Sequence, residues 1–285
     1  MTLQYVPIIN LALYFGGTAE GKAAVAKEVN QACRDIGFLV ITQHQIPAEL
    51  IERVSKLTGN FFDLPAEPYY SEELAGPHFA PNVWPTTLPG FDTAYAEYFD
   101  AMGDLARSLM RIFALALELP EPFFDDKIDN HISMFRSLRY PHLKGGIEEG
   151  QLRAGAHTDY GSLTIVKPDG ALGGLQVRNR ERTWIDVPYV EDGFVVNIGD
   201  LMMQWTNDQW ISTLHRVVNP PENVDGDQQR QSLVFFHQPN YDVMVKCLPS
   251  CLPAGDEPRY APVTSGDHLQ SKFVRQTTFG GSKVA

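Results

Sequence analysis

The chain has 285 residues, 44% hydrophobic and 20% charged, an ordinary globular composition with enough apolar material for a sizeable core. A formal net charge of −12 with no visible cluster of Lys and Arg argues against a nucleic-acid partner, because phosphate binding needs grouped cations. No apolar run approaches the roughly 18 residues of a membrane span, so no membrane partner is expected.

In chain order, residues 6–11 read as a short strand. Residues 18–36 read as a helix, with Val25, Val29, Ala32, Cys33 and Ile36 on one face and Gly37 as its stop. Residues 38–42 form a buried strand. Residues 48–62 are a second helix, with Leu50, Ile51, Val54, Leu57 and Phe61 at helical spacing. Residues 92–119 are a third, whose stripe runs from Tyr95 to Ala116.

From Ile132 the pattern changes to period two, with turn residues between runs. Strands are predicted over 134–140, 162–166, 174–177, 183–187, 194–198, 201–205, 213–218 and 232–237, with Gly199-Asp200 as a tight turn. Residues 222–229 are a polar loop and 265–273 a short closing helix. The fold class is therefore mainly β with flanking helices, a double-sheet jelly roll. One domain over 1–285 is expected: a mostly helical support region at 1–131, the jelly-roll core at 132–240 and a C-terminal extension at 241–285.

Cys33, Cys247 and Cys251 are an odd, widely spaced set, and no apolar leader follows Met1; both point to a reducing, cytoplasmic setting. Cys247 and Cys251 could be half of a zinc site, but no second Cys or His pair lies near them, which favours packing.

The chemistry gathers around Gly155-Ala-His157-Thr-Asp159-Tyr-Gly-Ser-Leu-Thr-Ile-Val166. On one strand, His157 and Asp159 point the same way with Cα atoms roughly 7 Å apart. A polar strand face produces HxD by chance, so the motif alone is weak. His215, from the run Ser-Thr-Leu-His-Arg-Val-Val, would complete two imidazoles and one carboxylate on one side of a metal, the open facial set of non-haem Fe(II) oxygenases. Arg230 and Ser232 share a face of the next run, Arg-Gln-Ser-Leu-Val-Phe-Phe, and offer a fork and a hydroxyl to a carboxylate. A hydrolytic zinc site would use the same ligands but gives no reason for Arg230-x-Ser232.

Taken as a set, HTDYGSLTIV, GGLQV, STLHRVV and RQSLVFF resemble the isopenicillin N synthase-like branch of the Fe(II)- and 2-oxoglutarate-dependent oxygenases, from VPIINL to the Phe273 region. The resemblance implies a distorted double-stranded β-helix. It implies Fe(II) at His157, Asp159 and His215, with Arg230 and Ser232 holding the far carboxylate of 2-oxoglutarate. Oxidation of an unactivated C–H of a small, acidic metabolite by O2 would then release succinate and CO2 by hydroxylation, desaturation or cyclisation.

Tyr140 matches a family tyrosine that hydrogen-bonds an acid at this end of the site, though a tyrosine at a barrel rim reads the same. If Tyr140 points inward, then Leu138, Arg136 and Met134 do too. Arg136 would meet either an anionic group on the substrate or a neighbouring acid, since an unpaired cation in an apolar barrel is costly. Leu175, Val234 and Phe236 are candidate pocket walls, and Lys167 is a weaker cation candidate.

Two rivals remain. An oxidase of the isopenicillin N synthase type keeps the Arg-x-Ser pair without using 2-oxoglutarate, and Leu138-Arg139-Tyr140-Pro141 leans that way. A jelly-roll binding protein would carry the cluster without chemistry. One departure from the resemblance is a short connection after the second helix, where Glu67 abuts Pro68. A segment is expected to be missing near 65–69; if the deletion is real, the pocket is more open. Oligomeric state is not readable.

Overall fold

The computed structural model describes residues 4–65, 82–142, 150–171, 174–220 and 229–280, with side chains to 275. All but Pro65 of the expected junction at 65–69, and all but Gln229 of the loop at 222–229, lie outside the described residues. The contacts define two compact units, one of residues 1–45 with 103–285 and the other of residues 46–102.

The strands are β1 (Ile8–Asn10), β2 (Phe38–Thr42), β3 (Met134–Tyr140), β4 (Ala154–His157), β5 (Leu163–Pro168) and β6 (Leu175–Arg178). They continue with β7 (Trp184–Asp186), β8 (Phe194–Ile198), β9 (His215–Val217), β10 (Arg230–His237), β11 (Met244–Val245) and β12 (Val263–Thr264). The helices are α1 (Ala12–Phe15), α2 (Ala19–Asp35), α3 (Ala48–Phe62), α4 (Phe91–Ala116), α5 (Asp200–Trp205) and α6 (Ser265–Gly280).

A six-stranded sheet runs in the order β1-β2-β8-β5-β10-β3 and a four-stranded one in the order β4-β9-β6-β7. Val40 and Val195 from the first sheet pack with Val177 from the second, together with Val6, Ile36 and Phe38, so the apolar faces of both sheets close one core. This is the jelly-roll architecture. The N-terminal region does more than support it, because β1 and β2 extend the larger sheet, β2 pairing with β8. In the β8 run Phe-Val-Val-Asn-Ile every residue is buried, as a strand covered on both faces requires.

Local chemistry fixes the ends of α2. Thr18 Oγ1 accepts from the Gly21 amide at 3.1 Å, and Gly37 follows with φ +65. A Cβ at Gly37 would meet the Ile211 carbonyl oxygen at 2.0 Å, so only glycine turns the chain there. Within the 46–102 unit, Phe91 stacks on Tyr95 with centroids 4.1 Å apart, and the Tyr95 hydroxyl meets Thr58 Oγ1 at 2.6 Å.

Three expectations change. The strand predicted at 201–205 is the helix α5, and Gly199 is its N-cap, with φ −97 and ψ 172, rather than a hairpin turn. The alternation misleads because Leu201, Met202 and Trp205 are all buried, a helical spacing that short apolar runs share with strands. The first amides of α5 find partners in the loop after β4, where Asp200 N–H donates to the Asp159 carbonyl at 2.8 Å and Leu201 N–H to that of Gly161 at 3.0 Å. The pattern does not announce β4, and this strand ends at His157, so His157 and Asp159 do not share a strand face. The helix predicted to reach 119 ends at Ala116, and Glu118, with φ +59, cannot continue it.

Candidate metal centre

His157 and His215 come together by register. They are directly opposed partners in the β4–β9 ladder, with ring centroids 4.3 Å apart. Asp159 reaches them from the loop beyond β4, its Oδ1 lying 3.9 Å from His157 Nε2 and 3.7 Å from His215 Nε2. The loop is stitched down by the α5 amides and by Asn197 of β8, whose Nδ2 donates to Asp159 Oδ2 at 2.8 Å. All three donor atoms lie within 4.8 Å of one another, the one such group of His, Cys, Asp and Glu found among the described residues.

The donor set fits Fe(II). His157 Nδ1 lies 2.7 Å from the Gly155 carbonyl oxygen and His215 Nδ1 lies 3.1 Å from that of Thr213; a carbonyl only accepts, so each Nδ1 carries the proton and each Nε2 presents a lone pair. Burial, partly offset by Asp159, lowers the His215 pKa and favours the neutral imidazole that a ligand needs. Asp159 and His215 are buried, whereas the side chain of His157 is 49% exposed, which leaves one flank open. The cysteines are free and take no part.

Two cavities meet at this cluster. The smaller, about 70 Å³, is lined by all three residues and by Arg230, Ser232 and Tyr140. Its floor follows from register, with Arg230 opposite Tyr140 and Ser232 opposite Leu138 on β3. Leu175 and Val234 also line it. Arg230 is 6% exposed; burial lowers its pKa, and Asp169 works in the opposite direction. Burial likewise raises the Tyr140 pKa. Arg153, which no sequence pattern singles out, holds its guanidinium 6.0 Å from the Tyr140 ring centre.

The larger cavity, about 280 Å³, shares His157 and Asp159 with the first and is walled by Ile132, Met134, Phe236, Gln238, Leu269 and Phe273 and by Thr158 and Tyr160. Phe236 borders both. Arg136 stands in this second cavity, not with Tyr140 and Leu138 in the first, and it is exposed rather than enclosed in an apolar barrel. The expected penalty for burying it therefore does not arise, and no described carboxylate pairs with it. Its guanidinium lies over the Phe236 ring at 5.8 Å and meets Met134 Sδ at 3.6 Å. Lys167 is turned elsewhere, donating to the Glu191 carbonyl.

Sequence reasoning also misses Asn197 and Gln238. Both had a signal: a lone amide inside the apolar run of β8, and the next alternate position after Phe236, one residue beyond the end of β10. Nothing local marked Leu269 and Phe273, which α6 brings in from a distant stretch.

The description "2OG-Fe(II) oxygenase superfamily" belongs to a family model that matches residues 132–239, and a model for the N-terminal region of a non-haem dioxygenase in morphine synthesis matches residues 6–68. The 2-oxoglutarate-Fe(II) type oxidoreductase hxnY of Emericella nidulans is 32% identical over 316 residues, spanning 94% of this chain and 89% of that protein. Homoarginine-6-hydroxylase 2-ODD-233 of Oryza sativa subsp. japonica is 31% identical over 296 residues, 88% of each. A full-length Neurospora crassa protein, solved in complex with alpha-KG, matches with a TM-score of 0.87 at 32% identity, over 94% of this chain and 96% of that one. A further structure of that Neurospora crassa protein holds alpha-KG and thymine, with a TM-score of 0.87 at 28% identity over 95% of this chain and 97% of that one.

Proposed function

This chain belongs to the 2OG-Fe(II) oxygenase superfamily, and from that premise we propose that His157, Asp159 and His215 hold its iron, that Arg230, Ser232 and Tyr140 hold 2-oxoglutarate, and that the cavity around Arg136 takes a small acidic substrate. The protein is an Fe(II)- and 2-oxoglutarate-dependent oxygenase, rather than an oxidase that dispenses with 2-oxoglutarate or a binding protein without chemistry. The observation that carries the residue assignment is the pair of cavities sharing the His157–Asp159 wall.

When bound, the iron supplies the activation of dioxygen that turns 2-oxoglutarate into succinate and CO2 and oxidises a substrate C–H bond. The side chains do the rest. Arg230, held in a buried slot, presents its fork to one carboxylate of 2-oxoglutarate, and the Ser232 and Tyr140 hydroxyls add donors beside it. Asn197 fixes the orientation of Asp159. Leu138, Leu175 and Val234 keep water from the small cavity, and Phe236 does so on both sides.

Arg136, exposed at the mouth of the large cavity, attracts a carboxylate and turns the carbon portion toward His157. A small molecule suits both this cavity and the relatives, which include a homoarginine hydroxylase and a thymine-bound structure.

Anaerobic addition of Fe(II) and then 2-oxoglutarate should produce a visible metal-to-ligand charge-transfer band. A screen of small acids and amino-acid derivatives in air should then reveal stimulated succinate release. A band of equal strength in Asp159→Ala would refute the ligand assignment.

A further inference from the structure

We infer that Asp200 joins the wall of the large cavity to the loop that carries Asp159, and that Lys272 of α6 is a positioning residue for the iron, acting through Asp200. This rests on the assignment of iron to His157, Asp159 and His215. Asp200 holds the loop by its backbone and α6 by its side chain. Its N–H donates to the carbonyl of Asp159 at 2.8 Å, and its Oδ2 accepts from Lys272 Nζ at 2.6 Å and from Thr158 Oγ1 at 3.4 Å. Ligand loop and helix thus meet on one residue, which is 5% exposed.

The neighbouring contacts repeat the pattern. The Lys272 ammonium stands 5.4 Å from the centre of the Tyr160 ring, and His268, one turn earlier, hydrogen-bonds the Tyr160 backbone. Leu269 and Phe273, the next stripe round the helix and also one turn apart, line the large cavity. Thr158 and Tyr160, which flank Asp159 in the chain, line it as well. One stripe of α6 therefore grips the loop while the adjacent one walls the space beside it.

A carboxylate as buried as that of Asp200 is stable only while it is paired. Without Lys272 its charge is drawn toward water, and the backbone N–H that holds the Asp159 carbonyl moves with it. Outer partners of metal ligands govern metal affinity by about 10- to 100-fold. The link is reciprocal, so whatever seats α6 tightens the iron and iron seats α6. A substrate packed against Leu269 and Phe273 draws on the same link.

The test measures Fe(II) affinity of the full chain, without oxygen, by competition with a chromogenic chelator. Lys272→Met should weaken it about tenfold, and Lys272→Arg should restore it. Asp200→Asn should weaken it too, and Lys272→Met combined with Asp200→Asn should be no weaker than the weaker single variant. Gln270→Ala is the control: it removes a 3.0 Å bond from the same helix to the Tyr241 hydroxyl, outside the loop, and should leave Fe(II) affinity unchanged. Hydrogen exchange calls on no variant: loading the wild type with Fe(II) should slow amide exchange along residues 265–275, and that protection should vanish in Lys272→Met.

Wild-type affinity in Lys272→Met, additive losses in the double variant, an equal loss in Gln270→Ala, or exchange along 265–275 that ignores Fe(II) each overturns the inference. Absence of the visible band from wild type with Fe(II) and 2-oxoglutarate is a different failure, that of the metal-site assignment itself, and the inference falls with it.

Discussion

The two cavities differ in how they are made. The small one is built from sheet: β3, β4, β5, β6, β8, β9 and β10 all contribute, and its guanidinium is buried. The large one is four times the volume, its guanidinium is exposed, and part of its wall is the helix α6. Strand register fixes side-chain positions residue by residue, whereas a helix laid across a sheet edge can change identity and tilt without disturbing any ladder. The division suits a reaction whose cosubstrate is constant and whose substrate is the variable part.

The sharpest way to break this picture is at the shared wall. Asp159→Ala removes the one carboxylate of the metal cluster and should lower succinate formation by about 1,000-fold or more, with the far-ultraviolet spectrum unchanged. Arg230→Ala acts on the small cavity alone. Removing one member of a buried, charged hydrogen-bonded pair should weaken 2-oxoglutarate binding by about 100-fold in an anaerobic titration of the visible band. Asn197→Ala leaves all ligands in place but frees Asp159 Oδ2, and should weaken Fe(II) affinity by about 30-fold in a competition with a chelator.

Acid should affect both cavities together, through the strand they share. His237 is fully buried in β10 with Ser162 Oγ 2.6 Å from its Nδ1; burial first, then the nearby His131 and Arg107, hold its pKa down to about 3. The unfolded chain takes up that proton near pH 6.5, so the native state binds fewer protons between those values. Stability is therefore complete above pH 6.5 and falls as the pH drops toward 3. At pH 5.5 the loss from this group is about 1.4 kcal/mol, about tenfold in the folding constant. Denaturant midpoints at about pH 7.5 and 5.5 would measure it, and His237→Gln should flatten the slope.

The smallest effect is expected at the exposed cation. Arg136→Ala should raise the KM for an acidic substrate by about fivefold and leave that for 2-oxoglutarate alone, as befits a solvent-screened contact. If it instead altered 2-oxoglutarate binding, the separation of the two cavities would fail.

Much of the site is legible in the chain because it is written in local spacing. Arg230-x-Ser232 and Tyr140 need only the period of a strand to share a face, and β3 and β10 do place them opposite one another. The pairing of His157 with His215 is expected in kind, but its cause is not: two short strands from distant parts of the chain are hydrogen-bonded in a register that no local pattern encodes. The same strand logic fails at Asp159, which sits beyond β4 and is held by Asn197 and by the first turn of α5. It fails again at 201–205, where an apolar run too short to declare its period becomes a helix because the loop carbonyls offer partners to its free amides.

By itself, then, the sequence determined the fold class, the residue types proposed to hold the metal and the strand proposed to hold a carboxylate, since each depends on periodicity or on neighbours a few residues apart. Tertiary structure alone decided that Arg136 stands in a different cavity from Arg230 and that α6 supplies part of the larger cavity's wall. Those facts depend on which distant backbone segments lie side by side, and long-range packing sets that through burial and hydrogen-bond satisfaction summed over the whole domain.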